Sequence, residues 1–225
     1  LKQLDCDNAQ GEYYLTDVIG IMRNKGLKVG AFKTGDTEDI MGVNNRYQLS
    51  VANKIMQSGI AKKLMLCGVT MIDPDSTYIE ASVVVEKDVT IYPGCILEGN
   101  TVIQEDSVIG PYSRIKDGKI GRGVCVQNSI VLESSIGEGT SIGPFAYIRP
   151  GNTIGRHVRI GDFVEMKNSN FGDNSKASHL AYIGDGDVGS NVNIGCGVIF
   201  VNYDGKNKYR TYIGDNSFVG CNANL

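Results

Sequence analysis

His179 is one of only two histidines in 225 residues, and it stands in the stretch K-A-S-H-L-A-Y-I-G-D from Lys176 to Asp185. An imidazole with a pKa of about 6.5 can take up and release a proton near neutrality, which suits a general base. Its company includes a phenol, Tyr182, and further on an amide, Asn193, and a thiol, Cys196. A second set of residues is cationic. Arg149 and Lys167 lie eighteen residues apart, each directly after an apolar residue, Ile148 and Met166. If eighteen residues make one full turn of the structure, the two cations stack about 5 Å apart. They then repel unless an anion lies between them, so a phosphate site is one reading. A solvated charged edge with Glu165 or Asp162 as partners is the other. A lone exposed histidine is likewise most often a plain surface residue. His157, in G-R-H-V-R, has no such company and reads as surface.

The elements that position these residues show in the spacing of apolar residues. From Ile79 they recur every six places at Val85, Ile91, Leu97, Ile103, Ile109 and Ile115. The phase resumes at Ile120, Val126 and Leu132, runs in sixes from Ile136 to Met166, and continues through Phe171, Ala177, Ile183, Val188, Ile194 and Phe200. It returns at Ile213, Val219 and Leu225. Four places after most of these apolar residues comes a small or branched one, such as Val89, Cys95, Ser107, Val158 or Ala181. A period of six is not helical. It fits a short strand and a tight turn, the large side chain filling an interior and the small one a corner, with Gly and Asn taking left-handed turn positions. Three such units form a triangular rung, and rungs stack as a parallel β-helix. Short steps, Ile115 to Ile120 and Met166 to Phe171, predict tightened corners. V-N-Y-D-G-K-N-K-Y-R-T-Y, between Phe200 and Ile213, is too polar for a core and predicts an extruded loop. On this phase His179 faces outward and Cys196 lies one rung on. The first 46 residues lack the hexad. From Tyr47 to Leu66 the spacing is helical, with Leu49, Ala52, Ile55, Met56, Ile60 and Leu64 on one face.

Composition narrows the function classes. A formal charge of −3 gives no basic surface for nucleic acid. The apolar runs are shorter than a membrane span and no charged-then-apolar leader is present, so a cytoplasmic protein without membrane insertion is expected. The six cysteines form no C-x-x-C pair and read as reduced thiols. The 29 glycines and absent tryptophan fit a repeat rich in turns.

Three groups of motifs carry a resemblance. They are N-A-Q-G-E-Y-Y-L-T-D from Asn8 with G-V-N-N-R from Gly42; F-V-E-M-K with S-K-A-S-H-L-A-Y-I-G-D; and N-Y-D-G-K-N-K. In this order, over essentially the whole chain, they resemble the bacterial bifunctional N-acetylglucosamine-1-phosphate uridyltransferase/glucosamine-1-phosphate acetyltransferase family. The resemblance implies a left-handed β-helix, whereas parallel crossovers are usually right-handed. It implies residues 1–46 as the end of an α/β nucleotidyltransferase domain, 47–68 as a helical linker and 69–225 as an acetyltransferase β-helix. The family's nucleotide loop and acidic metal ligand would precede Leu1, and its last rungs would follow Leu225.

The resemblance also implies roles. His179 is the base that deprotonates an amine attacking the thioester of acetyl-coenzyme A. Arg149, Lys167, Tyr182, Asn193 and Lys208 bind the sugar phosphate. Asn202 and Tyr203 lie near acetyl-coenzyme A, and backbone N–H groups near Cys196 and Cys221 contact the cofactor or the oxyanion. The family has small Ala and Ser at the two cysteine positions. Asn44 matches a residue that helps bind magnesium and nucleotide in the uridyltransferase half, and magnesium binding by this stretch is not expected. The activity implied is acetyl transfer to glucosamine-1-phosphate on the way to UDP-N-acetylglucosamine for bacterial envelopes, in a homotrimer. A zinc site of the carbonic anhydrase type needs three histidines and is not supplied. A trimeric scaffold without turnover is the alternative.

Overall fold

The computed structural model describes residues 3–35 and 40–225. The chain divides into two units, Leu1–Asn44 and Asn45–Leu225. Among its described residues the first unit holds one helix, α1 (Asp17–Asn24), none of whose residues is buried. The side chain of Asn8 orders the turn before it, its Oδ1 accepting from the N–H groups of Gln10 (3.1 Å) and Glu12 (3.2 Å).

The second unit begins with α2 (Arg46–Leu66), which starts one residue before the predicted Tyr47 and is capped by Asn45, whose Oδ1 accepts from Gln48 N at 2.8 Å. Its predicted apolar face packs only in part. Ala61 is buried and Ile60 and Leu64 lie against the core, but Leu49 and Met56 are exposed. The helix lies along the first coil and touches it through Asn53, which donates to the Tyr78 hydroxyl, and through residues from Gln57 onward. Gln57 both accepts from Ile79 N (2.9 Å) and donates to Ile79 O (3.1 Å), closing the backbone of an edge strand that would otherwise offer free pairing groups.

Beyond Gly68 the chain winds as a triangular parallel β-helix. Every third strand joins the same sheet, giving faces of nine, seven and eight strands. The first face includes Ser141–Ile142, Arg159–Asp162, Lys176–His179 and Asn193–Ile194; the second, Tyr147–Ile148, Glu165–Lys167 and Tyr182–Gly184; the third, Thr153–Ile154, Asn170–Phe171 and Gly186–Val188. Registers are parallel and keep the large residues in columns: Ile142, Ile160, Ala177 and Ile194 on the first face, and Ile115, Val131, Ile148, Met166 and Ile183 on the second. This is the hexad read as geometry.

One position departs from the expected phase. Val131, not Leu132, fills the interior, fully buried between Ile115 and Ile148, while Leu132 is only half-buried. Both corners flanking Val131 are one residue short, so the two five-residue steps replace a six and a four. Small inward residues hydrogen-bond along the stack. Ser175 Oγ donates to Gly189 O (2.7 Å) and accepts from Val192 N (2.9 Å), so its burial leaves no polar atom unpaired.

The corners adopt positive φ, mostly at Asn and Asp, which tolerate it. Between the first and second faces the same position carries Tyr112, Asn128, Phe145, Phe163 and Leu180, all with positive φ. The rings of Phe145 and Phe163 stack with centroids 5.5 Å apart on the exposed corner. The loop expected after Phe200 is present: Phe200 is fully buried, and the winding resumes with Thr211–Ile213 on the third face.

Candidate functional site

At the corner where the second face ends, successive coils place Arg149, Lys167 and Gly184 one above another, because Ile148 pairs with Met166 and Lys167 with Gly184. The two cations do stack as the eighteen-residue interval predicts. Gly184 leaves room here for two neighbouring side chains. A Cβ at that position would lie 2.4 Å from the Tyr182 hydroxyl and 2.8 Å from Asn202 Nδ2, so the phenol and the amide occupy the space a side chain would take.

Carboxylates hold the cations in place. Arg149 Nη1 lies 2.9 Å from Glu165 Oε1, the partner foreseen in the charged-edge reading. Lys167 Nζ lies 3.4 Å from Oδ2 of Asp185, a carboxylate that is only 7% exposed. Asp185 also accepts from Asn168 Nδ2 (2.6 Å) and Asn202 Nδ2 (2.5 Å). These bonds and Lys167 outweigh desolvation and keep its carboxyl below the usual range. Lys208 reaches the same corner from the loop. There its closeness to Lys167 pushes the Lys208 ammonium down. Three cations therefore face two carboxylates, leaving the corner net positive and able to receive an anion.

The loop that brings Asn202 and Lys208 is fastened at both ends. Asn202, buried, ties the start to Asp185. Arg210 ties the end to Asp187, to Asn168 O (3.0 Å) and to Gly186 O (3.3 Å). Inside, Asp204 Oδ1 accepts from Lys206 N (2.8 Å) and Asn207 N (2.6 Å), and Tyr203 pairs with Lys208. Tyr203 itself is exposed, its hydroxyl donating to Gly205 O at 2.7 Å.

His179 stands on the neighbouring corner, three residues before Tyr182. Asp162 pairs with His179 in register, and Nδ1 of the imidazole lies 2.6 Å from Asp162 Oδ1. Continuing the register through Ala177–Ile194 and Ile194–Val219 puts Cys196 and then Cys221 on the same column in the next two coils. The cysteines are free thiols.

The structure thus gathers Arg149, Lys167, Tyr182, Asn202 and Lys208, and places His179, Cys196 and Cys221 on the adjacent corner. Asn193 is apart from the cationic corner within one chain, on the first face between Lys176 and Phe218. His157 is exposed at a turn. Asn44 belongs to the other unit, and among the described residues no group of three or more His, Cys, Asp or Glu could hold a metal ion. Asp162, Asp185, Asn168 and Arg210 escaped the sequence reading as site residues, although the seventeen-residue intervals Asp162–His179, Asn168–Asp185 and Asp185–Asn202 were there to be counted.

These features define a class. The parallel β-helix matches the family model described as bacterial transferase hexapeptide (six repeats) at residues 82–117 and 133–168. More particularly, the whole chain is homologous to the proteins named bifunctional protein GlmU. It is 58% identical over 225 residues to the one from Acetivibrio thermocellus, 56% to that of Clostridium acetobutylicum and 54% to that of Clostridioides difficile. It covers 49% of each, so the chain spans about half the length of these relatives. Among solved structures, the acetyltransferase domain of PglB from Neisseria gonorrhoeae FA1090 in complex with acetyl coenzyme A overlaps 56% of this chain and 63% of that one, with 14% identity and a TM-score of 0.43. That likeness is too slight to bear on function.

Proposed function

We propose that the chain transfers the acetyl group of acetyl-coenzyme A to the amine of glucosamine-1-phosphate. The observation that carries this reading is the net-positive corner of Arg149, Lys167 and Lys208, set beside Tyr182 on a chain homologous to bifunctional GlmU proteins. The three cations receive the phosphate. Tyr182 and Asn193 hold the sugar, Asn193 from a neighbouring copy in a homotrimer, since one chain keeps it away from Tyr182. Asn202 and Tyr203 lie toward the acyl donor, with Asn202 also bonded to the sugar-phosphate side through Asp185.

In the reaction the amine nitrogen attacks the thioester carbonyl while His179 Nε2 takes its proton. Backbone N–H groups beside Cys196 and Cys221 receive the negative oxygen. The C–S bond then breaks, and the proton passes to the departing coenzyme A sulfur. We also assign residues 1–46 to the end of a uridyltransferase domain, 47–68 to the linker and 69–225 to the acetyltransferase. The whole protein then goes on to UDP-N-acetylglucosamine. Sugar phosphate and acetyl-coenzyme A are intracellular metabolites, which supports a cytoplasmic location; no helix among the described residues is long and apolar enough to cross a membrane.

Release of free thiol from acetyl-coenzyme A, dependent on glucosamine-1-phosphate, is the test. His179→Ala is expected to slow it by about 10²–10⁴-fold. An unchanged rate in that variant removes the base assignment, and a complete protein that assembles but releases no thiol is a scaffold.

A further inference from the structure

We propose that Asp162 is a positioning residue for acetyl transfer: its carboxylate holds the His179 ring by Nδ1, so that Nε2 is presented bare to the substrate amine. The inference rests on the base role given to His179 above.

The geometry gives the tautomer. A carboxylate can only accept hydrogen bonds, and a neutral imidazole carries a single N–H. At 2.6 Å from Asp162 Oδ1, Nδ1 must be the nitrogen that carries it. Nε2 is then left with a free lone pair, which a base needs. The hydrogen bond to His179 keeps the Asp162 carboxyl below the usual range, so the acceptor is ionised. Register secures the contact. Asp162 and His179 end paired strands on successive coils, Leu180 N donates to Asp162 O at 3.0 Å, and the next residues, Phe163 and Leu180, turn with positive φ at the same height. Both backbones therefore leave the face together and carry the two side chains outward side by side.

Stability is a poor explanation for the pair. The side chains are 37% and 55% exposed, and an exposed pair of this kind contributes little to folding. What it does fix is the orientation of the imidazole. As Nε2 gains the proton, positive charge also develops next to a carboxylate already in place.

Three variants of the complete protein test this. Asp162→Ala removes the acceptor, and Asp162→Asn keeps an acceptor oxygen without the charge. Since the side chain is part-exposed, neither is expected to unfold the coils. Asp162→Ala should lower kcat by about tenfold or more with both KM values little changed, and Asp162→Asn should fall between it and the parent. On a His179→Ala background, Asp162→Ala should cause no further loss. Nitrogen-15 spectra of labelled histidine give a readout apart from turnover, made tractable by the two histidines. His179 should be Nδ1-protonated in the parent and a mixture of tautomers in Asp162→Ala. An Asp162→Ala enzyme with kcat within about twofold of the parent overturns the proposal, as does an equal loss on the His179→Ala background. An unchanged tautomer overturns it even where His179 proves to be the base. A His179→Ala enzyme at full rate instead removes the base assignment, and with it the catalytic part of this one.

Discussion

Arg210 grips Asp187 with two parallel hydrogen bonds, Nε to Oδ2 and Nη2 to Oδ1, each 2.6 Å long. The same guanidinium donates from Nη1 to Asn168 O at 3.0 Å. One side chain thus fastens the end of the functional loop to two separate coils, and through the loop it sets where Lys208 can reach. Arg210→Ala is expected to raise KM for glucosamine-1-phosphate about tenfold, the equivalent of one charge-assisted hydrogen bond, and to change the melting temperature little. Arg210→Lys should rescue poorly, because an ammonium cannot reproduce the fork. Steady-state kinetics on the two variants decide it.

The loop should also loosen in acid. Asp187 is held below the usual carboxylate range first by Arg210, and Asp204 first by the N–H groups of Asn207 and Lys206. A carboxylate whose folded pKa is depressed stabilises the fold fully above its unfolded value of about 3.9, and loses that contribution as pH falls through the folded one. Amide shifts of residues 201–210 should therefore stay native from neutrality down to about pH 4 and turn coil-like below it, while the coils persist. A loop looser at neutral than at acid pH contradicts the assignment.

Lys167 depresses Lys208, and a phosphate would reverse that. A bound dianion favours the charged ammonium, so binding of glucosamine-1-phosphate at alkaline pH should draw a proton on to Lys208. Titration calorimetry in buffers of different ionisation enthalpy should report proton uptake in the parent. In Lys167→Met the depressing neighbour is gone and the uptake should vanish. Equal uptake in both proteins contradicts the coupling.

The interior register can be weighed directly. Val131→Ala should cost about 1.5–3 kcal/mol in urea unfolding, because it removes two buried methyl groups and leaves a void. Leu132→Ala, at a half-buried position, should cost less than about 1 kcal/mol. The reverse order would restore the phase expected from the sequence.

That slip shows where reading the sequence succeeds and where it stops. The columns from Ile142 to Ile194 were legible because one apolar residue every six places has no other geometric meaning. At I-V-L, Ile130 to Leu132, three branched residues stand in a row, and only the two shortened corners decide which one turns inward. Lys167 above Arg149 could be counted out, since both follow core residues. Asp162 and Asp185 could not be told from their neighbours by type: corners are full of Asp and Asn for backbone reasons, and the carboxylates that bind side chains look the same as those that merely turn the chain. Asn193 failed to join the Arg149 corner because it stands two hexads beyond Tyr182, which puts it on the first face and not the second.

The stacking of coils has a further consequence. Each coil adds one strand spacing, about 4.8 Å, along the axis. The distance from α2 to the cationic corner is therefore counted in whole coils, and the corner depends only on the few coils next to it. Adding or removing a complete coil between Ile91 and Val126 should move helix and site apart or together by that one increment and leave the chemistry untouched. The prism is a ruler with fixed graduations.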